Sequence, residues 1–197
     1  MPPSSDSTDA AILKAESLRE SGELGASLSL LHVACDENPD EPRAWHQLGI
    51  GYVRAGKVDH ALHCLQRASE LAPDNIDIGS HLANAYVLKK NLDAAIEQGV
   101  KLVGLNPQAA EFRLFLGNLY ATKGCLDQAL KSVGDAIERA PGLATAHFLL
   151  AQIQFARGQL SLAKSAAFEA LRLSPGDASV LQFVRRIESA MERTHVQ

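Results

Sequence analysis

The sequence predicts an all-α fold in which antiparallel helix pairs stack into a solenoid. Three observations lead to this prediction. Proline recurs every 34 residues, small residues recur at two fixed positions of the same period, and glycine recurs at a third. A fixed period of about 20–50 residues is typical of proteins built from stacked repeats. The prolines that set the period are Pro39, Pro73, Pro107, Pro141 and Pro175.

The period divides the chain into a tail, five repeats and a final helix. Residues 1–7 are polar without periodicity, so we expect a disordered N-terminal tail. The repeats are 8–41, 42–75, 76–109, 110–143 and 144–177. Residues 178–197 are expected to form a capping helix and a C-terminal tail, because a repeat array needs a polar outer face at its end. In this helix, Leu181, Val184 and Ile187 are predicted to cover the last repeat.

Each repeat contains two predicted helices. Positions 4, 7, 8 and 11 of a repeat share one helical stripe, and positions 17, 20, 24 and 27 share a second. The eighth position is always small, which lets two helix backbones approach closely; its residues are Ala15, Gly49, Ala83, Gly117 and Ala151. The twentieth position is also small throughout: Ser27, Ala61, Ala95, Ala129 and Ala163.

The helix ends are marked by glycine and aspartate. The break between the two helices falls at Gly22, Gly56, Lys90, Gly124 and Gly158. Glycine fits the left-handed residue that often ends a helix. Asp40, Asp74 and Asp177 lie where a following helix needs an N-cap, and aspartate is a good cap.

The second repeat carries the residues that identify a family. Trp45, Leu48, Gly49, Tyr52, Ala61, Leu65, Ala68 and Pro73 match the signature of the tetratricopeptide repeat (TPR). The chain therefore resembles a TPR protein over residues 8–177. The resemblance implies a right-handed superhelical solenoid whose concave groove, lined by the first helix of each repeat, binds peptides or protein segments. It implies no catalytic machinery and no cofactor.

The groove residues follow from the register, since they lie opposite the buried stripe of each first helix. They change from polar and charged near the N-terminus to apolar near the C-terminus. The predicted partner-binding residues are Arg43, His46, Gln47, Arg54, His81, Asn84, Leu114, Phe115, Asn118, Phe148, Gln152 and Phe155.

Two features of this set indicate binding. Asn84, Asn118 and Gln152 recur at the ninth position, and a primary amide can both donate to and accept from a peptide backbone. The alternative is that each amide is solvated or bonds a neighbouring helix. The apolar residues form the second feature, because contiguous exposed apolar surface marks interaction sites. The alternative is that they pack between adjacent first helices.

One known subtype of TPR domain is not matched. The domains that bind chaperone C-termini hold a carboxylate with lysine, asparagine and arginine. At the matching positions stand Ile12, Glu16, Gln47, Asp77 and His81, so the cationic clamp is missing. Arg43, Arg54, His46 and His81 remain as a different arrangement that could meet a carboxylate.

The third repeat departs from the pattern. Gly79 stands where Trp45 stands in the second repeat, Gly99 replaces Leu65, and Gly104 adds another glycine. Glycine costs about 1 kcal/mol relative to alanine inside a helix. The hairpin is therefore either locally soft or repacked by its own Leu102, Val103 and Leu105.

Composition excludes several functions. The net charge is −4 and no basic stripe exists, so we expect no nucleic acid partner. No run of about 18 apolar residues is present, so we expect no membrane insertion. Residues 1–41 carry nine acidic and two basic side chains, which form either a solvated face or a contact for a basic partner.

Chemical sites are absent from the sequence pattern. The odd number of cysteines and the lack of a C-x-x-C pair argue against disulfides and structural zinc, and favour the cytoplasm. His60, His63 and Cys64 lie together, but no carboxylate completes a metal site. No nucleophile elbow, phosphate loop or H-E-x-x-H motif indicates an enzyme.

These observations predict a non-enzymatic scaffold or adaptor that binds a peptide or protein segment in the concave groove. Two alternatives remain. The first is a structural scaffold that self-assembles into a homo-oligomer through the groove. The second is an accessory module of a transferase or of a secretion or assembly system.

Overall fold

The fold is a succession of helices joined by short turns. The structure is a computed structural model that describes the backbone of residues 5–195 and the side chains of residues 7–193. The described helices are α1 (Ser5–Glu20), α2 (Leu24–Glu37), α3 (Pro42–Arg54), α4 (Val58–Leu71), α5 (Ile76–Leu88), α6 (Leu92–Leu105), α7 (Ala110–Lys123), α8 (Leu126–Arg139), α9 (Ala144–Ala156), α10 (Leu160–Leu173) and α11 (Ala178–His195). No strand occurs within residues 5–195.

The chain divides into two compact units. The N-terminal unit ends at Leu105 and the C-terminal unit begins at Asn106. Residues 1–4 of the predicted tail lie outside the described residues, and residues 5–7, which the sequence analysis assigned to that tail, belong to α1. The final helix α11 belongs to the C-terminal unit and begins where the capping helix is predicted.

Helices pack in consecutive pairs, α1 with α2 through α9 with α10. Two or three residues join the members of a pair, so each pair is antiparallel. The small eighth position is where the two backbones meet. Ala15, Ala83 and Ala151 are fully buried there. A Cβ atom added to Gly49 would lie 2.6 Å from Cγ of Leu65, so this approach is closer than alanine permits.

The turn within each pair is set by a left-handed residue, as predicted. Gly22, Gly56, Gly124 and Gly158 have φ angles between 70° and 87°. Lys90 occupies the same position in the third repeat with φ 62°, and it is the one non-glycine residue with positive φ among the described residues. Left-handed geometry costs a residue with a side chain about 1–2 kcal/mol. The α5–α6 turn therefore stores strain that the other four turns avoid.

The predicted N-caps are correct at one site and displaced by one residue at two. Asp177 accepts hydrogen bonds from the backbone N–H groups of Ser179 and Val180. Asn75, rather than Asp74, caps α5 through a bond from the N–H of Ile78. Glu41, rather than Asp40, caps α3. All three helices begin three residues after the proline, so the cap is the second residue after it, which is Asp177 before α11 but Glu41 and Asn75 before α3 and α5.

The glycine-rich third repeat is repacked by one of its own leucines. A Cβ atom on Gly79 would lie 3.1 Å from Cδ2 of Leu102, and Leu102 is almost fully buried. Leu102 thus occupies space beside α5 that the larger Trp45 would need at that position. Gly104, in contrast, faces no atom within 4 Å. Repacking by Leu102 is the alternative that this geometry supports.

The N-terminal unit has a continuous apolar core across its first two helix pairs. Leu31, Leu48 and Leu65 are fully buried in this unit. Cys35 and Cys64 are also buried, and burial raises the pKa of the two thiols to about 12 and about 11, respectively. Both thiols therefore stay protonated at neutral pH and pack as small apolar groups.

The C-terminal unit is closed by α11. Val180, Val184 and Ile187 are buried against α10, whereas Leu181 is 42% exposed. The prediction that Leu181 covers the last repeat is therefore wrong, and Val180 takes that place. The buried stripe runs through positions 180, 184 and 187, four and then three residues apart, and Leu181 lies beside it.

Polar contacts repeat at equivalent positions within each unit. The indole N–H of Trp45 donates to the carbonyl of Pro39, and Nε2 of His147 lies at the same distance, 2.9 Å, from the carbonyl of Pro141. Because a carbonyl only accepts, Nε2 of His147 is the donor. The fourth position thus ties the first helix to the preceding proline in the second and fifth repeats.

Candidate functional site

A cleft of about 380 Å³ opens between α7 and α9 in the C-terminal unit. Its walls are mainly apolar, from Leu114, Phe115, Phe148 and Leu149, and its rim is polar. We call it the α7–α9 cleft, and its complete lining is Glu111, Leu114, Phe115, Asn118, Leu143, Thr145, Phe148, Leu149 and Gln152. Five of the twelve predicted groove residues therefore come together in one cleft.

The amides of the predicted ladder are exposed. Asn118 and Gln152 lie at the rim of the α7–α9 cleft, and Asn84 lies on α5 in the N-terminal unit. None of the three side-chain amides makes a hydrogen bond with any residue that the structure describes. Each is free to donate and accept at once, which is what a peptide backbone requires.

The two predicted phenylalanines of α9 have different environments. Phe148 lines the cleft and also packs edge-to-face on Phe183 of α11, with ring centroids 5.5 Å apart. Phe155 packs on the same ring at 5.4 Å and lies under the guanidinium of Arg186. Phe155 is therefore engaged by α11 and does not line the cleft, while Phe148 is held in place by α11 for its role in the wall.

Leu143 lines the cleft although the sequence analysis did not select it. It is the last residue of its repeat and precedes α9, so it lies outside the helical register that defined the groove set. Its position at the N-terminus of α9 places it in the lining of the same cleft as Thr145 and Phe148. The sequence offers only the helix start as a sign of this placement.

The equivalent face of the N-terminal unit is occupied by its own polar contacts. Arg43 of α3 forms an ion pair with Asp9 of α1 at 2.6 Å. The guanidinium of Arg19 donates to the amide oxygen of Gln47 at 3.0 Å. Both bonds join neighbouring first helices, so these predicted groove residues tie α1 to α3.

His46 and His81 form the next contact along this face. Their rings lie 4.8 Å apart, and Nε2 of His46 is 3.1 Å from Nδ1 of His81. Nδ1 of His81 is also 2.8 Å from the backbone carbonyl of Asp77, which can only accept. His81 therefore carries a hydrogen on Nδ1, and Nε2 of His46 is an acceptor without a proton.

The electrostatics of this pair agree with that assignment. Burial, and then the neighbouring His81, lower the pKa of His46 from 6.5 to about 4. Arg19 also has a lowered pKa, because of burial and the nearby Arg54. The face of the N-terminal unit thus keeps one histidine neutral and holds two guanidinium groups close together.

Within the described residues, no group of three or more histidine, cysteine, aspartate and glutamate side chains is placed to hold a metal ion. No described helix combines the length and the apolar character needed to cross a membrane.

Two family models, both described as tetratricopeptide repeat, match the chain at residues 42–75 and 116–178. No curated protein sequence matches significantly.

Solved structures of similar fold cover most of the chain. YrrB, described as a TPR protein with an unusual peptide-binding site, is 22% identical, with a TM-score of 0.78 over 89% of this chain and 90% of its own. MamA MSR-1 is 26% identical, with a TM-score of 0.73 over 87% and 98%. TTC0263, a thermophilic TPR protein in Thermus thermophilus, is 25% identical, with a TM-score of 0.62 over 93% and 98%. The similarity establishes repeated antiparallel helix pairs as the fold.

Proposed function

Since this chain is a tetratricopeptide repeat protein, we propose that it is a non-enzymatic adaptor that binds a segment of a partner protein. The α7–α9 cleft is the main contact in this proposal. The observation that carries it is the combination of an apolar cleft with two exposed amides at its rim that bond no described residue. The odd number of cysteines supports a reducing compartment, so we place the adaptor in the cytoplasm.

The cleft is suited to one bulky apolar side chain of an extended partner segment. The walls of Phe115, Phe148 and Leu149 would enclose that side chain, and aromatic walls are typical of the positions that dominate binding energy. The amides of Asn118 and Gln152 would bond the flanking backbone without selecting its sequence. Selectivity in this arrangement comes from the apolar side chain, and the backbone contacts add affinity.

Peptide selection tests the proposal directly. A library of random peptides displayed on phage is selected on the full chain, and the affinity of a selected peptide is measured by fluorescence anisotropy. We expect the selected peptides to share a large apolar residue. The double variant Asn118→Ala/Phe115→Ala should weaken binding about a hundredfold, as loss of an aromatic anchor and a hydrogen bond would produce. Phe115 is chosen because Phe148 also packs on α11.

The control is a double variant on another face of the same unit. Leu162→Ala/Ser165→Ala changes two exposed residues of α10 and should leave the affinity unchanged. Equal binding by the wild type and the Asn118→Ala/Phe115→Ala variant would show that the cleft is not the site. Light scattering over a concentration series separates peptide binding from self-association, because a self-assembling scaffold would gain mass with concentration.

A further inference from the structure

A second cavity lies on the N-terminal unit and contains none of the predicted groove residues. It is formed where α2, α3 and α4 meet, and its volume is about 370 Å³. Trp45 and Tyr52 of α3, His32 of α2, and His60 and His63 of α4 provide five aromatic rings to its lining. We call it the aromatic pocket.

The rings of the aromatic pocket hold one another in place. Tyr52 and His60 lie 5.1 Å apart with a 37° angle between their planes. His63 meets Trp45 nearly perpendicularly at 6.2 Å, and His32 meets Tyr52 at 5.7 Å. The hydroxyl of Tyr52 is hydrogen-bonded to Nε2 of His32. The pairs of Trp45 with His63 and of Tyr52 with His32 are edge-to-face, an orientation that aromatic pairs prefer, so the walls present both ring faces and ring edges.

The pocket carries no uncompensated charge from its acidic groups. Asp59 lies at its edge, and the ammonium of Lys89 is 2.6 Å from the carboxylate. The thiol of Cys64 also lines the pocket, and burial raises its pKa to about 11, so it is neutral. A ring-lined pocket whose acidic groups are paired or protonated is complementary to an aromatic group, because its walls offer the edge-to-face contacts that aromatic rings prefer.

The fold does not require this set of rings. At the corresponding repeat positions around α9, the C-terminal unit has Gly134, His147, Gln154, Leu162 and Ser165. The helix pair forms there without them. The structural bond that Trp45 makes to Pro39 is made by His147 to Pro141 in that unit. Trp45 and Tyr52 belong to the repeat signature, whereas histidine stands at the positions of His32, His60 and His63 in no other repeat, so the three histidines set this pocket apart.

We propose that the aromatic pocket binds an aromatic side chain with a polar edge, tyrosine or tryptophan, presented by a partner protein. The volume lies at the lower end of the range of about 300–1,000 Å³ for ligand pockets, which suits one such side chain with its backbone. His60 and His63 are exposed and bond no described residue. Their ring nitrogens are available to the hydroxyl of tyrosine or the N–H of tryptophan. This site is separate from the α7–α9 cleft and does not depend on its function.

N-acetyl-tyrosinamide is the probe for this site, and Trp45 is the reporter because it is the chain's one tryptophan. Titration of the full chain, with selective excitation of tryptophan, should give a saturable change in Trp45 fluorescence. N-acetyl-leucinamide, titrated in the same way, should bind about tenfold more weakly because it lacks edge-to-face ring contacts.

Variants locate the binding. His60→Ala/His63→Ala removes two exposed rings and should weaken probe binding about tenfold while leaving the far-UV circular dichroism unchanged. Leu162→Ala/Ser165→Ala, at the same repeat positions of the C-terminal unit, should leave binding unchanged. The single variants His60→Gln and His63→Gln, which keep a hydrogen-bonding group, give an independent answer if the double variant loses stability.

Four results would overturn the proposal. They are the absence of a saturable signal, equal binding of the leucine and tyrosine probes, binding of tetramethylammonium in preference to the tyrosine probe, and unchanged probe binding in the histidine variants. The second would mark a simple apolar cavity, and the third a cation site.

Discussion

The first-helix faces of the two units use the same repeat positions for different purposes. In the N-terminal unit, Asp9 pairs with Arg43, Arg19 with Gln47, and His46 with His81. In the C-terminal unit, the fifth and sixth positions carry Leu114, Phe115, Phe148 and Leu149, which leave an open apolar cleft. Polar side chains in the first case join neighbouring helices, whereas apolar side chains in the second surround a cavity.

The difference shows that a groove position in this fold is not automatically a binding position. A long polar side chain can reach the next first helix and bond it, which satisfies the side chain internally. An aromatic side chain at the same position has no such partner and leaves surface for another molecule. On the first-helix face of the N-terminal unit, polar side chains therefore join neighbouring helices, and we call this face braced. The corresponding face of the C-terminal unit leaves a cleft open to another molecule.

The largest expected effect on stability comes from removing the ring of α11 that packs against the aromatic side chains of α9. Phe183→Ala deletes the ring on which both Phe148 and Phe155 pack. We expect it to lower the free energy of unfolding by about 2–3 kcal/mol and to weaken cleft binding. Urea denaturation measures the first effect and peptide anisotropy the second. If stability falls while binding is unchanged, α11 does not position Phe148 for the cleft.

The cores of the two units should respond alike to added volume, although their first-helix faces differ. Gly49→Ala would place Cβ 2.6 Å from Leu65, and Gly117→Ala would place it 2.7 Å from Val133. Each substitution should lower the free energy of unfolding by about 2 kcal/mol, because the added methyl group overpacks the core. Urea denaturation provides the measurement, and Ala83→Gly at the same position is the reverse control. A loss in only one variant would show that the two cores tolerate close approach differently.

Acid should weaken the braced face selectively. The pKa of His46 is about 4 in the folded chain and 6.5 without burial, so its neutral form contributes stability above pH 6.5 that is lost as the pH falls towards 4. The loss should be about 1–2 kcal/mol, since the residue is partly exposed. The groups that act on it are His81, Asp77 and Arg19.

The measurement for this pH effect is the difference between wild type and His46→Gln, because other groups titrate in both. The difference in unfolding free energy should change between pH 7 and pH 4.5. A constant difference would mean that His46 is not held neutral by its surroundings.

A smaller effect on stability is expected from the left-handed residue in the turn between the two helices of a pair. Lys90→Gly removes a left-handed lysine from the N-terminal unit and should stabilise by about 1 kcal/mol. Gly124→Lys creates the same strain in the C-terminal unit and should destabilise by a similar amount. Hydrogen exchange of α5 and α7 reports each change locally. No gain from Lys90→Gly would indicate that the lysine side chain makes a compensating contact.

The smallest effect concerns matched surface ion pairs. Asp59 pairs with Lys89 in the N-terminal unit, and Asp127 pairs with Arg157 at the same repeat positions of the C-terminal unit. Double-mutant cycles with Asp→Asn and Lys or Arg→Met should give coupling energies of about 0.5 kcal/mol or less for each pair, because both carboxylates are exposed. A markedly larger coupling energy in one unit would show that its ion pair contributes to stability there.

The sequence was sufficient for the repeat register and for much of the fold. Proline spacing, the small residue at Gly49 and the glycine at Gly56 predicted where helices pack and end, because these features follow from backbone sterics. The caps at Glu41 and Asn75 were missed because aspartate was preferred as a cap over the residue that directly precedes the helix. The exposure of Leu181 was missed because neighbouring apolar residues of a helix cannot both lie on its buried stripe, and the sequence does not say which of Val180 and Leu181 does.

The candidate site was less predictable for a different reason. The register placed Phe148 and Phe155 on one face, but the engagement of Phe155 by Phe183 depends on the packing of α11. Likewise, His46 and His81 became partners because of side-chain rotamers, which periodicity does not determine. The aromatic pocket draws on three helices, and its residues lie at repeat positions usually assigned to the buried or outer faces.

The buried thiols allow opening of the N-terminal unit to be measured by chemical labelling. A thiol reagent attacks the thiolate, and the raised pKa values of Cys35 and Cys64 leave very little thiolate in the folded unit. Alkylation of Cys35 therefore requires the unit to open, so its labelling rate at increasing reagent concentration measures how often it does, whereas Cys64 also lines the aromatic pocket. Cys125, half-buried at the start of α8, lies in the other unit and provides the labelling rate of a more accessible thiol in the same sample.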